Sequence, residues 1–385
     1  MKRAGKLGFV LLLMIAILTG CWDQREPNQL AFINGAAMDL TKDGKFEISS
    51  LLAIPAVIGG GLNGGGDGGN KKSFHVVSAT GKDFMDAGQN LQTQLSRQLF
   101  YGHRQTILVG QRMAEYGIAS FIDMVIRNPQ SEMRSTIYVV KDGDAKDLLS
   151  MEPIFDPYTS TELVSQQDTL QINPYYYRNF LSESLSQGTY PLLPAVSMTP
   201  LKKYVYTGSA ILNKDNGLKL AGFLNTRESF YANWITGKQK GFIITSYITQ
   251  GNGNISLNMQ KLDRRIRVNL VNDQIQIEVR LVGKGSIVEN NATLDPTARK
   301  DLQIIQDEFN LTTQNSVQQL IDKVQKEYKT DIFGFGEVVH RKYPKQWKNL
   351  EKDWSHTFSQ LQVSVKVDIH CKEPGQTTSS IMSRP

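Results

Sequence analysis

The sequence predicts an α+β or mixed α/β protein of more than one domain, with antiparallel or mixed sheets, packed helices and a lipid anchor at its N-terminus. Three observations carry this expectation. In the first half, strand-type runs such as Phe74 to Ala79, Thr106 to Val109 and Ser135 to Val140 alternate with segments of helical period. The second half opens on an Asn-Gly hairpin and continues through long strands to one long amphipathic helix. A chain of 385 residues also exceeds what one hydrophobic core usually serves.

Residues 1–20 read as a signal peptide. Lys2, Arg3 and Lys6 precede an apolar run from Phe9 to Leu18, and Thr19 and Gly20 stand just before Cys21. The run is about half of the roughly 20 residues a spanning helix needs. Leu18-Thr19-Gly20-Cys21 resembles the bacterial lipobox, in which the cysteine thiolate is alkylated by diacylglycerol and cleavage leaves it as the new N-terminus. An incidental cysteine behind an ordinary secretory leader is the competing reading. Two acyl chains hold a protein stably at a bilayer where one does not. The mature chain is therefore expected to be tethered, soluble and peripheral on the extracytoplasmic face of the cell membrane. Trp22, Asp23 and Glu26 follow the lipid site, and Trp22 is placed to sit at the membrane interface.

A mature domain over 21–200 begins with a hairpin, Leu30 to Leu40 and Phe46 to Ile58, turning at Thr41-Lys42-Asp43-Gly44. Between Gly59 and Gly69 eight of eleven residues are glycine, so 59–70 reads as a floppy loop. It is no P-loop, because Gly69 is followed by Asn70 rather than Lys and no helix opens there. Beyond the strand Phe74 to Ala79, apolar residues Phe84, Ala87, Leu91 and Leu95 predict a helix over Lys82 to Leu99. Thr106 to Val109 reads as a buried strand, Ala114 to Ile126 as a helix, Ser135 to Val140 as a strand, and Ala145 to Leu149 as a short helix after Asp142-Gly143. Prolines 153, 157, 174, 191, 194 and 200 mark 153–200 as the junction, with a helix near Leu181 and Leu185 that Pro191 and Pro194 end.

The second domain, 201–373, starts with strands Tyr204 to Leu212 and Leu218 to Leu224 around Lys214-Asp215-Asn216-Gly217. Phe242 to Thr249, Asn254 to Leu270 and Gln274 to Val288 extend an expected antiparallel sheet. Pro296 to Tyr328 is helical, with Val317, Leu320, Ile321, Val324 and Tyr328 on one stripe. Leu361, Val363, Val365, Val367 and Ile369 alternate along a closing strand, and 374–385 reads as a flexible tail.

Composition excludes several functions. Removing Lys2, Arg3 and Lys6 lowers the formal charge from +6 to +3, and no basic cluster interleaved with aromatics supports nucleic-acid binding. With Cys21 lipidated, Cys371 has no disulfide partner. His75, His103, His340, His356 and His370 lack metal-ligand spacing, and adjacent His370 and Cys371 point to opposite faces of a strand. No Gly-x-Ser-x-Gly elbow is present. We therefore expect no catalytic residues, no metal and no cofactor beyond the covalent diacylglycerol on Cys21, with or without an N-acyl chain. The unusual segment is Phe100-Tyr101-Gly102-His103-Arg104. It fits a helix C-cap, with Gly102 left-handed and His103 and Arg104 at the negative end of the dipole. It also fits a partner-contact surface anchored by Tyr101, His103 and Arg104, with Trp22 as a further candidate.

Taken in order, several stretches resemble the Ger(x)C family of spore germination lipoproteins, the C subunits of nutrient germinant receptors. Gly20-Cys21-Trp22-Asp23 with Glu26, Tyr101-Gly102-His103, the Gly110 to Gly117 stretch and Arg127-Asn128-Pro129 match its first part. Thr207-Gly208-Ser209-Ala210, Leu220 to Asn225 with Glu228, Gly334-Phe335-Gly336, Tyr343-Pro344-Lys345, Trp347, Trp354 and Phe358 match the rest. The Gly59 to Asn70 stretch and the tail after Cys371 fall outside the pattern. The resemblance implies an α/β protein of about three domains on the outer face of the spore inner membrane. It also implies a non-enzymatic subunit working with integral membrane A and B subunits that recognise nutrients and pass ions. The alternative reading is a lipid-anchored extracytoplasmic solute-binding protein of a transporter, which would need a cleft between two similar lobes.

Overall fold

The computed structural model describes residues 26–54, 73–127, 131–201, 203–272 and 274–373. Cys21, Trp22, the glycine-rich stretch and the tail lie outside them.

β1 (Leu30–Leu40) and β2 (Phe46–Ala53) form the expected hairpin, turned at Gly44 with φ 78° and closed by Lys45 N–H donating to Thr41 Oγ1 at 2.9 Å. Beyond Ile54 the second expected strand leaves the described residues. β3 (Phe74–Gly81) pairs antiparallel with β2. The helix expected over Lys82 to Leu99 is shorter: α1 spans Phe84–Gln92, started by Asp83 accepting from Asp86 N at 2.8 Å. Gln92 explains the stop. Its side chain donates to Arg97 O at 2.9 Å and accepts from Leu99 N at 3.0 Å, drawing Gln98–Phe100 into a strand, β4, parallel to β1.

β5 (Thr106–Gly110) and β6 (Thr136–Lys141) are parallel and almost wholly buried, as strands covered on both faces must be. The single helix expected between them is two, α2 (Gln111–Tyr116) and α3 (Ala119–Arg127). Gly117 breaks it with φ 113°, its backbone packed where a Cβ would stand 2.7 Å from Gly217 O. After α4 (Ala145–Leu149), the junction holds α5 (Thr159–Thr169), α6 (Tyr177–Leu185) and β7 (Leu192–Met198). α6 ends at Leu185, before Pro191, and Pro194 lies within β7. β7 pairs with β6 only over Ala195–Ser197, so the missing N–H of Pro194 falls before the parallel ladder begins.

β8 (Tyr204–Asn213) and β9 (Lys219–Leu224) make the Asn-Gly hairpin, but this hairpin joins the first sheet through β7 and not the second-half sheet. The main order is β3-β2-β1-β5-β6-β7-β8-β9, with β4 beside β1. Alternation along β5 and β6 sends Ile107, Val109, Ile137 and Val139 toward α2, α3 and α6, and Leu108, Tyr138 and Val140 toward α4 and α5. The result is three layers.

The remaining chain forms α7 (Thr226–Thr236), β10 (Phe242–Ile248), β11 (Gly253–Val271), β12 (Gln274–Asn290), α8 (Arg299–Lys323) with a π turn at Val324–Tyr328, α9 (Phe335–Lys342), α10 (Pro344–Leu350), α11 (Trp354–Gln360) and β13 (Gln362–Glu373). The sheet order is β10-β11-β12-β13. The sheet is mixed rather than antiparallel, because β13 returns parallel to β12 through the α8–α11 crossover. α8 covers its far edge, where Asn310 Oδ1 and Gln306 Oε1 accept Ile369 N–H at 2.7 Å and Cys371 N–H at 2.9 Å. One continuous core joins the sheets, since Tyr190, Leu192, Ile211 and Leu224 pack with Trp234, Phe242 and Phe335.

Candidate functional site

β4 ends in the turn that carries the aromatic segment. Arg104 N–H donates to Tyr101 O at 3.1 Å, and Gln105 N–H to Asn34 O at 2.7 Å, which hands the chain to β5. The helix C-cap expected at Gly102 is not formed, because β4 separates the turn from α1 and Gly102 has no positive φ. Glycine is needed there for space, as a Cβ would lie 2.6 Å from the Phe100 ring.

The three candidate contact residues that are described, Tyr101, His103 and Arg104, do not form one surface. His103 is exposed and stands against Phe32 and Phe100 at ring-centre distances of 5.5 and 5.6 Å. Tyr101 is partly buried, and burial pushes its phenol above the ordinary range. Trp22 lies outside the described residues. Arg104 is a correction: it is not a surface anchor, being only 6 % exposed. Its Nε donates to Ser135 Oγ at 3.1 Å and its Nη2 to Glu132 O at 3.4 Å, while Ser135 Oγ donates back to Arg104 O at 2.8 Å. Burial lowers the pKa of the guanidinium from its ordinary value.

Arg104 borders a cavity of about 270 Å³ between α1, α3 and one face of β1, β2 and β5. Met38, Ile107, Phe84, Phe121 and Val125 supply apolar wall. No feature of the sequence by itself signals this cavity, because its lining comes from five separate segments.

An exposed apolar surface also escaped sequence inspection. Phe155 is 91 % and Ile154 59 % exposed, beside Lys203 and Tyr204, and Leu201 in the adjoining turn is 84 % exposed. Large apolar side chains held in water are the type that anchors protein partners. Their carrier loop is fixed from below by Glu162 Oε1, which accepts Ile154 N–H at 3.0 Å and Phe155 N–H at 3.2 Å.

Among the described residues no group of three or more His, Cys, Asp or Glu is arranged to hold a metal, and no helix is long and apolar enough to cross a membrane. Cys371 is partly buried, and desolvation pushes its thiol up to about 11, so the nucleophilic thiolate is scarce at neutral pH.

Comparison with known proteins is consistent from residue 23 to residue 375. The profile described as "Spore germination protein N-terminal domain" matches residues 23–198, and that described as "Spore germination B3/ GerAC like, C-terminal" matches residues 207–375. The second profile begins within β8, whereas the sheets divide after β9. Among the relatives from Bacillus subtilis (strain 168), the protein YfkR is 27% identical over 92% of each chain. Spore germination protein KC is 25% identical over 99% of this chain and 98% of its own, and spore germination protein B3 is 24% identical over 97% and 98%. The crystal structure of the GerBC protein superposes with a TM-score of 0.58 at 20% identity, covering 90% of this chain and 98% of that one, which establishes the shared fold.

Proposed function

The chain belongs to the Ger(x)C family of spore germination proteins, and we propose from that premise that it serves nutrient-triggered germination as the lipid-tethered C subunit of a germinant receptor. The observation that carries this reading is the collinear match of two spore-germination profiles from residue 23 to residue 375. In the proposal Cys21 carries the lipid, the chain sits on the extracytoplasmic face of the spore inner membrane, and its partners are the integral membrane A and B subunits. Its mechanism is contact and not catalysis, since tethering raises its effective concentration near partners in the membrane plane.

The fold supports this arrangement. β1 begins at Leu30, so the nine residues after Cys21 span at most about 30 Å even when fully extended. β4 pairs with Leu30–Phe32, the first residues of that strand, and leads into the turn bearing Tyr101 and His103. A solute-binding lipoprotein with a cleft between two similar lobes fits less well, because a nine-stranded sheet covered on both faces is joined here to a four-stranded one.

Two readouts test the anchor. The mass of the N-terminal peptide of the wild-type chain is expected to show lipid on Cys21, and Cys21→Ala is expected to lack it. That variant is expected to lower nutrient germination by about tenfold or more with unchanged circular dichroism. An unmodified Cys21 in the wild-type chain, or full germination by the variant, refutes the tethering.

A further inference from the structure

We infer that the cavity beside Arg104 is a binding site for an amphiphilic monocarboxylate, its carboxylate on the guanidinium and its apolar body between α1 and α3. The inference is independent of the receptor role.

The charge balance is the first argument. Arg104 is buried, yet among the described residues it forms no ion pair, and its hydrogen bonds use only Nε and one N–H of Nη2. A guanidinium has five N–H donors in a planar fork that fits a carboxylate with two parallel bonds. The nearby carboxylate of Glu132 favours the charged form but makes no ion pair with the guanidinium, its Oε1 accepting Arg134 N–H at 2.7 Å. A buried cation with no carboxylate in direct contact is costly, and an anionic ligand supplies that contact.

The lining specifies the rest of the ligand. Among the described residues of the lining Arg104 is the one that is charged, and the other polar members, Gln89, Gln92, Gln98, Tyr101 and Ser131, are neutral. A single positive charge balances a monocarboxylate and leaves a phosphomonoester, close to two negative charges at neutral pH, uncompensated. Among the described residues the lining holds no carboxylate for an ammonium, which disfavours α-amino acids. The apolar wall and a volume of about 270 Å³ accept a body of roughly eight to ten heavy atoms. Met85 and Met124 border both this cavity and the outer groove toward Phe46, and their thioether side chains adapt to varied shapes.

The test is calorimetric titration of the full lipoprotein in detergent, with a micelle blank, using 3-phenylpropanoate, the neutral 3-phenylpropanamide and L-phenylalanine. Saturable binding of 3-phenylpropanoate is expected, at least about tenfold tighter than either other probe, the size of one charge-assisted hydrogen bond. Arg104→Gln is expected to erase the preference for the acid over the amide. Gly88 provides a variant that leaves the arginine in place. It lines the cavity and a Cβ there meets nothing within 4 Å, so Gly88→Leu fills the space without displacing α1, and is expected to abolish binding in a folded chain. No saturable binding of the acid, equal binding of acid and amide, or binding unchanged by Gly88→Leu each overturns the inference, whether or not Arg104→Gln folds. Decanoate in place of 3-phenylpropanoate separates sources: tighter decanoate binding assigns a fatty acid, and weaker binding a small soluble acid.

Discussion

Asp331→Ala is expected to lower the unfolding free energy by about 4 kcal/mol, among the largest effects of any single substitution in this chain. The carboxylate is fully buried and organises the loop leading into α9. Oδ1 accepts from Phe333, Gly334 and Phe335 N–H at 3.1, 2.9 and 3.2 Å, and Oδ2 accepts from Gly336 N–H at 2.8 Å and Trp354 Nε1 at 3.0 Å. Its backbone carbonyl accepts Tyr190 N–H at 3.0 Å, tying the loop to the segment that enters β7. Removing the side chain strands these donors where water reaches few of them, each at about 1–3 kcal/mol before relaxation.

The deficit depends on pH in a defined direction. Burial outweighs the five N–H donors and pushes the carboxyl from 3.8 up to about 6. Between those values the folded state binds a proton that the unfolded state does not, so Asp331 favours the fold more as pH falls. Urea titrations of both proteins are expected to show a gap about 1 kcal/mol wider at pH 5 than at pH 7. Asp39, also raised to about 6 by burial, is present in both chains and cancels. A variant within about 1 kcal/mol of wild type at either pH removes the loop's dependence on this carboxylate.

Gly208→Ala is expected to cost about 3 kcal/mol or more. Gly208 has φ 124° and sits where the β7–β8 register slips between Ala195 and Val196, a bulge in β8. A Cβ there would lie 2.0 Å from Leu224 O and 2.7 Å from Asn225 C, backbone atoms of β9 and the α7 N-cap that have no room to yield. Gly217 is the control. It has φ 68° and open space around its absent Cβ, so Gly217→Ala pays only backbone strain, about 1 kcal/mol. Thermal or urea denaturation showing equal losses for the two variants contradicts the crowding argument.

What was legible in the sequence followed local chemistry. Thr41 to Gly44 and Lys214 to Gly217 specify turns within a few residues, and the stripe of Val317, Leu320, Ile321 and Val324 specifies a buried helix face. α5 was invisible because it buries polar residues: Thr159 donates to Met151 O at 2.6 Å, Ser160 to Asn34, and Glu162 holds the loop before it. Such a helix has no apolar period. The parallel direction of β13 depends on where a crossover of some seventy residues lands, which no local pattern encodes. Arg104 illustrates the same limit for the site. Its residue type and turn were readable, but its burial is decided by Ser135 and Glu132, about thirty positions away.

In the proposed role this chain works as a receptor subunit through contacts with integral membrane proteins. The most direct measurement is affinity purification of the tagged chain from detergent-solubilised spore membranes, followed by identification of what accompanies it. The account predicts co-purification of two integral membrane proteins in a fixed ratio with the chain. Recovery of the chain alone, or with a small molecule and no membrane protein, contradicts it.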